Sequence, residues 1–266
     1  HDKVLDDHLI INNCNFRILN LAIESLLSIN LNSINLMHFA QSCASNFNWQ
    51  ITTNKNIDNK IIEQYNINKL EVNINNMIVD NKNDYCGTNN VNIIANNFNC
   101  SITNTIISEN NIFINSTEFT IIKNSTLFAK ESYTIYSYKF VRIIDCSLLQ
   151  GGIVDYNFAL KRNIEIINSN LIGNVFISDT TNYPEHYHKT VLINNSTFQH
   201  GLLQISLPID NTSIVTLNNV MLTNIHSVAR SILLFISATN VIIDGCTMKH
   251  NILENVCFLT IGSITT

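Results

Sequence analysis

The chain has 266 residues, a formal net charge of −5 and only 13% charged residues. So sparse and mildly acidic a surface has no basic stripe to neutralise phosphates, which excludes nucleic-acid binding by that route. No apolar run reaches the ~18 residues of a membrane-spanning helix, and only 2 Pro and 7 Gly argue against a loop-rich or disordered chain.

The predicted elements are short strands, and they repeat. The first reads Leu9, Ile11, Asn13, Cys14, Phe16, and the phrase closes each time on a large apolar anchor. In chain order the anchors are Phe16, Leu36, Val79, Cys100, Leu127, Leu148, Leu171, Phe198, Leu222 and Met248. From Val79 onward they stand about 21 to 27 residues apart, the length of one coil of a parallel β-solenoid. The gap from Leu36 to Val79 is about twice that, so a weaker coil is expected around residues 49–56. Residues 17–31 could be drawn as an amphipathic helix, but Ile29 and Leu31 fit the solenoid columns better.

Seven and five residues before each anchor stand apolar, mostly β-branched side chains: Leu9 and Ile11, Val72 and Ile74, Val191 and Ile193, Val215 and Leu217 among them. Two such columns separated by one residue are the inward face of a strand. Three before the anchor come Asn13, Ser33, Asn76, Asn97, Asn124, Asp145, Asn168, Asn195, Asn219 and Gly245. Asn tolerates the left-handed backbone of a sharp bend, and stacked amides can hydrogen-bond from coil to coil. This column is expected to be an inward-facing asparagine ladder, with Asp145 and Asp244 as its variants or flank. Two before the anchor the residue is usually small, as at Cys14, Ser125, Cys146, Ser169, Ser196 and Cys246.

With these columns the chain resembles the right-handed parallel β-helix of the pectin-lyase-like superfamily, over about Leu9 to Thr266. The resemblance implies an all-β fold: a single-stranded β-solenoid of about ten or eleven turns, roughly 50 Å long, as one domain over residues 1–266. That superfamily spans lyases, hydrolases, viral tailspikes, adhesins and surface filament proteins, so the fold fixes no activity. The chain opens at His1 without Met, and a processed chain or a part of a longer one is expected. Open solenoid ends must be capped or joined to another copy.

Seven Cys are present. They read as small apolar fillers of an interior stack without the spacing of a zinc site, and no cofactor is expected. Cys246 and Cys257 could share a coil and pair, which spacing leaves open. Glycosylation sequons begin at Asn99, Asn115, Asn124, Asn194, Asn195 and Asn211. With Asn124 and Asn195 assigned to the inward ladder, Asn99, Asn115, Asn194 and Asn211 are the expected acceptors. They point to a secreted or surface location.

Carbohydrate cleavage needs clustered carboxylates. The polygalacturonase pattern is absent from the sequence, and the Asp6–Asp7 pair lies at its start. Arg142 and Glu165 fall in one outward slot of consecutive coils, which reads as a cross-strand ion pair. The insertion at residues 179–189 carries Tyr183, Glu185, His186, Tyr187 and His188. It is the expected ligand or partner loop, since rigid scaffolds carry function on their loops, and its His-x-His pair beside Glu185 could hold a divalent metal.

The outward slots are polar early in the chain and apolar later, at Ile94, Ile121, Ile144, Ile167 and Leu192, with Ile242 beyond. An apolar stripe of this kind should be covered by something. The expectation is a non-enzymatic extracellular or surface rod, self-assembling or binding another surface protein in a filament, coat or adhesive layer. A carbohydrate-active or glycan-binding solenoid is the alternative.

Overall fold

The computed structural model describes residues 8–16, 20–23, 28–37, 48–54, 71–80, 90–96, 99–116, 119–137, 140–150, 155–160, 163–179, 189–207, 213–223, 226–227, 234–249, 252–253 and 259–261. Every described element is a strand, and the strands stack in parallel as a β-solenoid. Within the stretch that could be drawn as a helix, Asn20–Ile23 is a strand and Ser28–Asn32 begins another, with Ile29 and Leu31 in the solenoid columns.

One sheet contains ten parallel strands, from His8–Asn12 to Asn240–Asp244. At ~4.8 Å per strand the stack is about 43 Å tall. The registers align the repeat phrase directly: Leu9 beside Ile29, Ile29 beside Val72, Val191 beside Val215 and Val215 beside Val241. Two further stacks continue each coil. The second carries the anchors, with Phe16 on Leu36, Leu148 on Leu171 and Phe198 on Leu222. The third runs through Leu21, Ile51, Ile93, Ile114 and Ile135 and on to Ile236 and Ile261. In Ile106–Ser116 and Thr126–Ser137 the second and third strands merge into one long strand. Between the three stacks lies the core, where Ile74, Ile102, Ile122, Ile143, Ile166, Ile193 and Leu217 are fully or almost fully buried. A parallel strand covered on one face reads as alternation, and the observed burial alternates accordingly.

Two assignments from the sequence are corrected by this register. The true anchor between Val79 and Leu127 is Ile107, which pairs with both. Cys100 instead pairs with Val72 and Thr120, seven slots earlier. The ladder position there belongs to Asn104, while Asn97 lies outside the described residues. The expected extra coil at residues 49–56 is also absent. Asn48–Asn54 is a third-stack strand of the coil begun by Ser28–Asn32, which pairs directly with Glu71–Asn75. All three stacks share the period of two, so alternation alone does not say which stack a strand joins.

The bend between the first and second strands is the same in every coil. Asn13, Ser33, Asn76, Asn104, Asn124, Asp145, Asn168, Asn195, Asn219 and Gly245 all have φ between 48° and 62°. An ordinary side chain in this left-handed region costs about 1–2 kcal/mol, which Asn and Gly largely avoid. Each bend N–H before Gly245 donates to a carbonyl of the next coil, as from Asn124 to Ile144 at 3.1 Å and from Asn195 to Asn218 at 3.0 Å.

The side chains of this column do not face inward. Asn13, Asn76, Asn124, Asp145, Asn168, Asn195 and Asn219 are exposed. A left-handed bend turns the Cβ away from the core, so the ladder runs along the outside corner. Its amides still pair: Asn124 donates to Asn104 at 3.4 Å, Asn168 to Asp145 at 3.2 Å and Asn219 to Asn195 at 3.2 Å.

The buried ladder is the next column. Thr105, Ser125, Cys146, Ser169 and Ser196 are buried. The Ser125, Ser169 and Ser196 hydroxyls donate to carbonyls two residues back at 2.8–2.9 Å. They also accept from the preceding coil: Thr105 N–H to Ser125, Cys146 N–H to Ser169 and Ser169 N–H to Ser196, each at 3.2 Å. A hydroxyl can donate and accept at once, while in other coils the buried Ile34, Met77 and Val220 fill the same column with apolar side chains.

Two stability predictions follow from these columns. Asn168→Ala should lower stability by about 1 kcal/mol while Asn168→Gly stays within about 0.5 kcal/mol, because only the first strains the bend. Thermal unfolding of both variants checks this. Thr120 is buried between Cys100 and Val141 with no partner for its Oγ1. Thr120→Val should therefore raise stability by about 1–2 kcal/mol, read as a higher Tm.

Candidate functional site

The outward face of the first sheet gathers the most distinctive surface side chains. Phe119–Lys123, Phe140–Ile144, Asn163–Ile167 and Thr190–Asn194 are neighbours there. Their inward residues Val141, Ile143, Ile164, Ile166, Val191 and Ile193 lock the strands to the core. The intervening residues must then face out, on a platform held rigid by backbone pairing on both sides.

At its centre Arg142 stands beside Glu165. The guanidinium Nε donates to Glu165 Oε2 at 2.7 Å, and Nη2 lies 2.7 Å from the same oxygen. This is the cross-strand ion pair the slots predicted. The side chains are 39% and 23% exposed, so the pair contributes about 1 kcal/mol or less after solvent screening. Arg142 also lies over the Phe140 ring, 5.0 Å from its centroid. Phe140 in turn meets Phe119 edge to face at 6.1 Å.

Apolar residues surround this cluster, though not as the continuous stripe expected. Ile144 and Ile167 are adjacent in one outward column. Ile121 and Leu192 share a second column, separated by Arg142 and Glu165. All four are half-buried by their neighbours. Ile94 is not on this face: it belongs to the third stack, beside Thr52 and Asn115. Its misplacement follows from the shifted anchor at Cys100. Phe119 and Phe140 complete the patch and escaped the sequence reading. Their signal was available one column further out, eight residues before Leu127 and Leu148.

Glu165 is engaged by Arg142, which suits the cluster for binding rather than for acid–base work. Among the described residues no group of three or more His, Cys, Asp or Glu could hold a metal ion. The loop residues Tyr183, Glu185, His186, Tyr187 and His188 lie outside the described residues, as do Asn211 and Cys257.

Of the expected glycan acceptors, Asn99, Asn115 and Asn194 are among the described residues. Asn99 is half-buried at a strand start. Asn115 and Asn194 are half-buried, each with a buried Oδ1 lacking a partner. Asn124 and Asn195, the sequon residues of the ladder column, stand exposed on the outside corner. Their third sequon residues, Thr126 and Thr197, are half-buried on strands that begin just after the bend.

The described cysteines divide by position. Cys100 and Cys146 are buried and free, Cys14 is half-buried and Cys246 exposed. Burial pushes the Cys100 thiol up to about 12. The Cys146 thiol is pushed up to about 11, burial outweighing its backbone hydrogen bonds. These two are fillers of the interior stack. A thiol raised in the folded state stabilises fully below its unfolded value near 9, and that contribution is lost as pH rises toward 11–12. Cys100→Ala or Cys146→Ala should therefore flatten the fall in Tm between about pH 9 and 11. At pH 8 a thiol reagent should label Cys14 and Cys246 and spare Cys100 and Cys146 until the chain unfolds, as peptide mapping would read.

The chain matches no family model, no curated protein and no solved structure.

Proposed function

We propose that this chain is a structural rod: an extracellular or surface protein whose solenoid joins further copies, or another surface protein, in a filament, coat or adhesive layer. The observation that carries this reading is apolar surface mounted on a rigid stack. Phe119, Phe140, Ile121, Ile144, Ile167 and Leu192 gather on one face. Ile10 and Ile242 stand 59% and 54% exposed on the first and last strands of the same sheet. A preformed sheet loses little conformational entropy on docking, so its apolar area is available for association.

The finer kinship with the pectin-lyase-like superfamily belongs to this proposal, and it supports a secreted setting. So do the exposed sequon residues Asn124 and Asn195. The reading requires no cofactor, nucleic acid or membrane insertion.

The Phe119–Phe140 pair beside Arg142 favours a second reading as a glycan-binding or carbohydrate-active solenoid. Aromatic faces stack against the C–H faces of sugar rings, and a guanidinium donates to hydroxyls or uronate carboxylates.

Light scattering and electron microscopy of the purified chain over a concentration series separate the two. The rod reading expects oligomers that grow with concentration. It also expects the Ile144→Asn, Ile167→Asn double variant to weaken association about tenfold while unfolding within a few degrees of the parent. A chain that stays monomeric at every concentration would sink it. A monomer that binds oligosaccharide, and loses that binding in Phe140→Ala, would establish the second reading instead.

A further inference from the structure

Six sequons for N-linked glycosylation run through the chain, and the fold sorts them by where each amide stands. Asn99, Asn115 and Asn194 sit in strands and are half-buried. Asn115 and Asn194 hold their Oδ1 atoms away from solvent, in strands paired on both sides. Asn124 and Asn195 stand elsewhere. They belong to the left-handed bend, with φ of 48° at each, and are exposed on its outside corner. The sign of φ turns each Cβ away from the core, so the amide projects from the stack.

We infer that Asn124 and Asn195 are the acceptors of N-linked glycans. The inference rests on the secreted setting of the reading above and names the modification that goes with it. The donor is a lipid pyrophosphate-linked oligosaccharide. The Asn Nδ2 bonds to the anomeric carbon of the first sugar as the bond from that carbon to the pyrophosphate oxygen breaks. The lipid pyrophosphate leaves with the electron pair, and one amide hydrogen leaves as a proton.

The ladder survives this exchange, because each amide keeps its carbonyl oxygen and one of its two N–H groups. Asn195 serves the ladder through Oδ1, which accepts from Asn219 at 3.2 Å, and its own Nδ2 makes no hydrogen bond among the described residues. Asn124 uses one N–H toward Asn104 at 3.4 Å and has a second to exchange.

Transfer takes place on the growing chain, before the coil closes, so the fold filters its products. A sugar on the outside corner leaves the strand pairing and the core untouched. A sugar on Asn115 or Asn194 must find room beside an amide already packed against its neighbours. No other Asn of the bend column has Ser or Thr two places on. The two glycans therefore stand three coils apart, about 14 Å at strand spacing. They follow Phe119–Lys123 and Thr190–Asn194, the outer strands of the apolar platform, and mark one rim of it.

The full chain is led by an added signal peptide into the secretory pathway of cultured animal cells. It carries Asn211→Gln, which silences the sequon outside the described residues. Folded material from the medium is treated with peptide N-glycosidase in heavy-oxygen water, which converts each glycosylated Asn to a labelled Asp. Peptide mapping should find the label at Asn124 and Asn195, and not at Asn99, Asn115 or Asn194. On gels Thr126→Val and Thr197→Val should each remove one of two glycan steps, and together both. These changes erase the two sequons without touching a bend residue, and each keeps a β-branched side chain on its strand.

Thr197→Val leaves the Asn194 sequon intact, so a glycan that persists there would overturn the assignment. Label at Asn99, Asn115 or Asn194, or none at Asn124 and Asn195, would overturn it as well. The added signal supplies the pathway, so these results read the acceptor geometry alone and leave the rod reading to the scattering series.

Discussion

The structure depends on one recurring constraint: a left-handed residue whose N–H donates to the next coil. Ten bends share nearly the same φ, and a corner that varied would throw the following strand out of register. Parallel strands have no hairpin to set their pairing. Here the bend takes that part, because a fixed backbone turn and a fixed hydrogen bond recur at one point of every coil. The inward columns can then stack like on like, and the core becomes a set of continuous aliphatic rows.

The residue after the bend carries the second half of the same device. It is buried where backbone groups converge; Ile34, Met77 and Val220 fill the place with apolar bulk, and elsewhere it is a small residue, which serves best if it can both donate and accept. Ser125, Ser169 and Ser196 do so, linking a carbonyl of their own coil to an N–H of the coil before. Each such bond is worth about 1 kcal/mol net, and an unpaired group at that corner would cost more. Cysteine at the same position packs equally well, and its Sγ in Cys146 still reaches the carbonyl of Ile144 at 3.1 Å. Its thiol is chemically quiet for the same reason that it fits.

The outward face of a solenoid built this way is polar where residues such as Asn73 and Ser101 occupy it, and apolar where Ile121, Ile144, Ile167 and Leu192 do. Both kinds of surface stand on a sheet whose register the core sets, so surface and fold draw on the same physics.

The sequence by itself determined the fold class, nine of the ten bend residues, most of the inward columns and the Arg142–Glu165 pair, because each depends on spacing that recurs from coil to coil. Recurrence is visible without coordinates. It did not determine which stack an alternating segment joins: Asn90–Asn96 and Asn99–Thr103 look alike as strands, and only pairing distinguishes them. Nor could it say which way the ladder faces, since an Asn at a bend suits either direction until the sign of φ sends its Cβ outward. The Phe119–Phe140 cluster likewise came from the tertiary structure. It joins residues from different coils, and its neighbourhood is created by stacking rather than by distance along the chain.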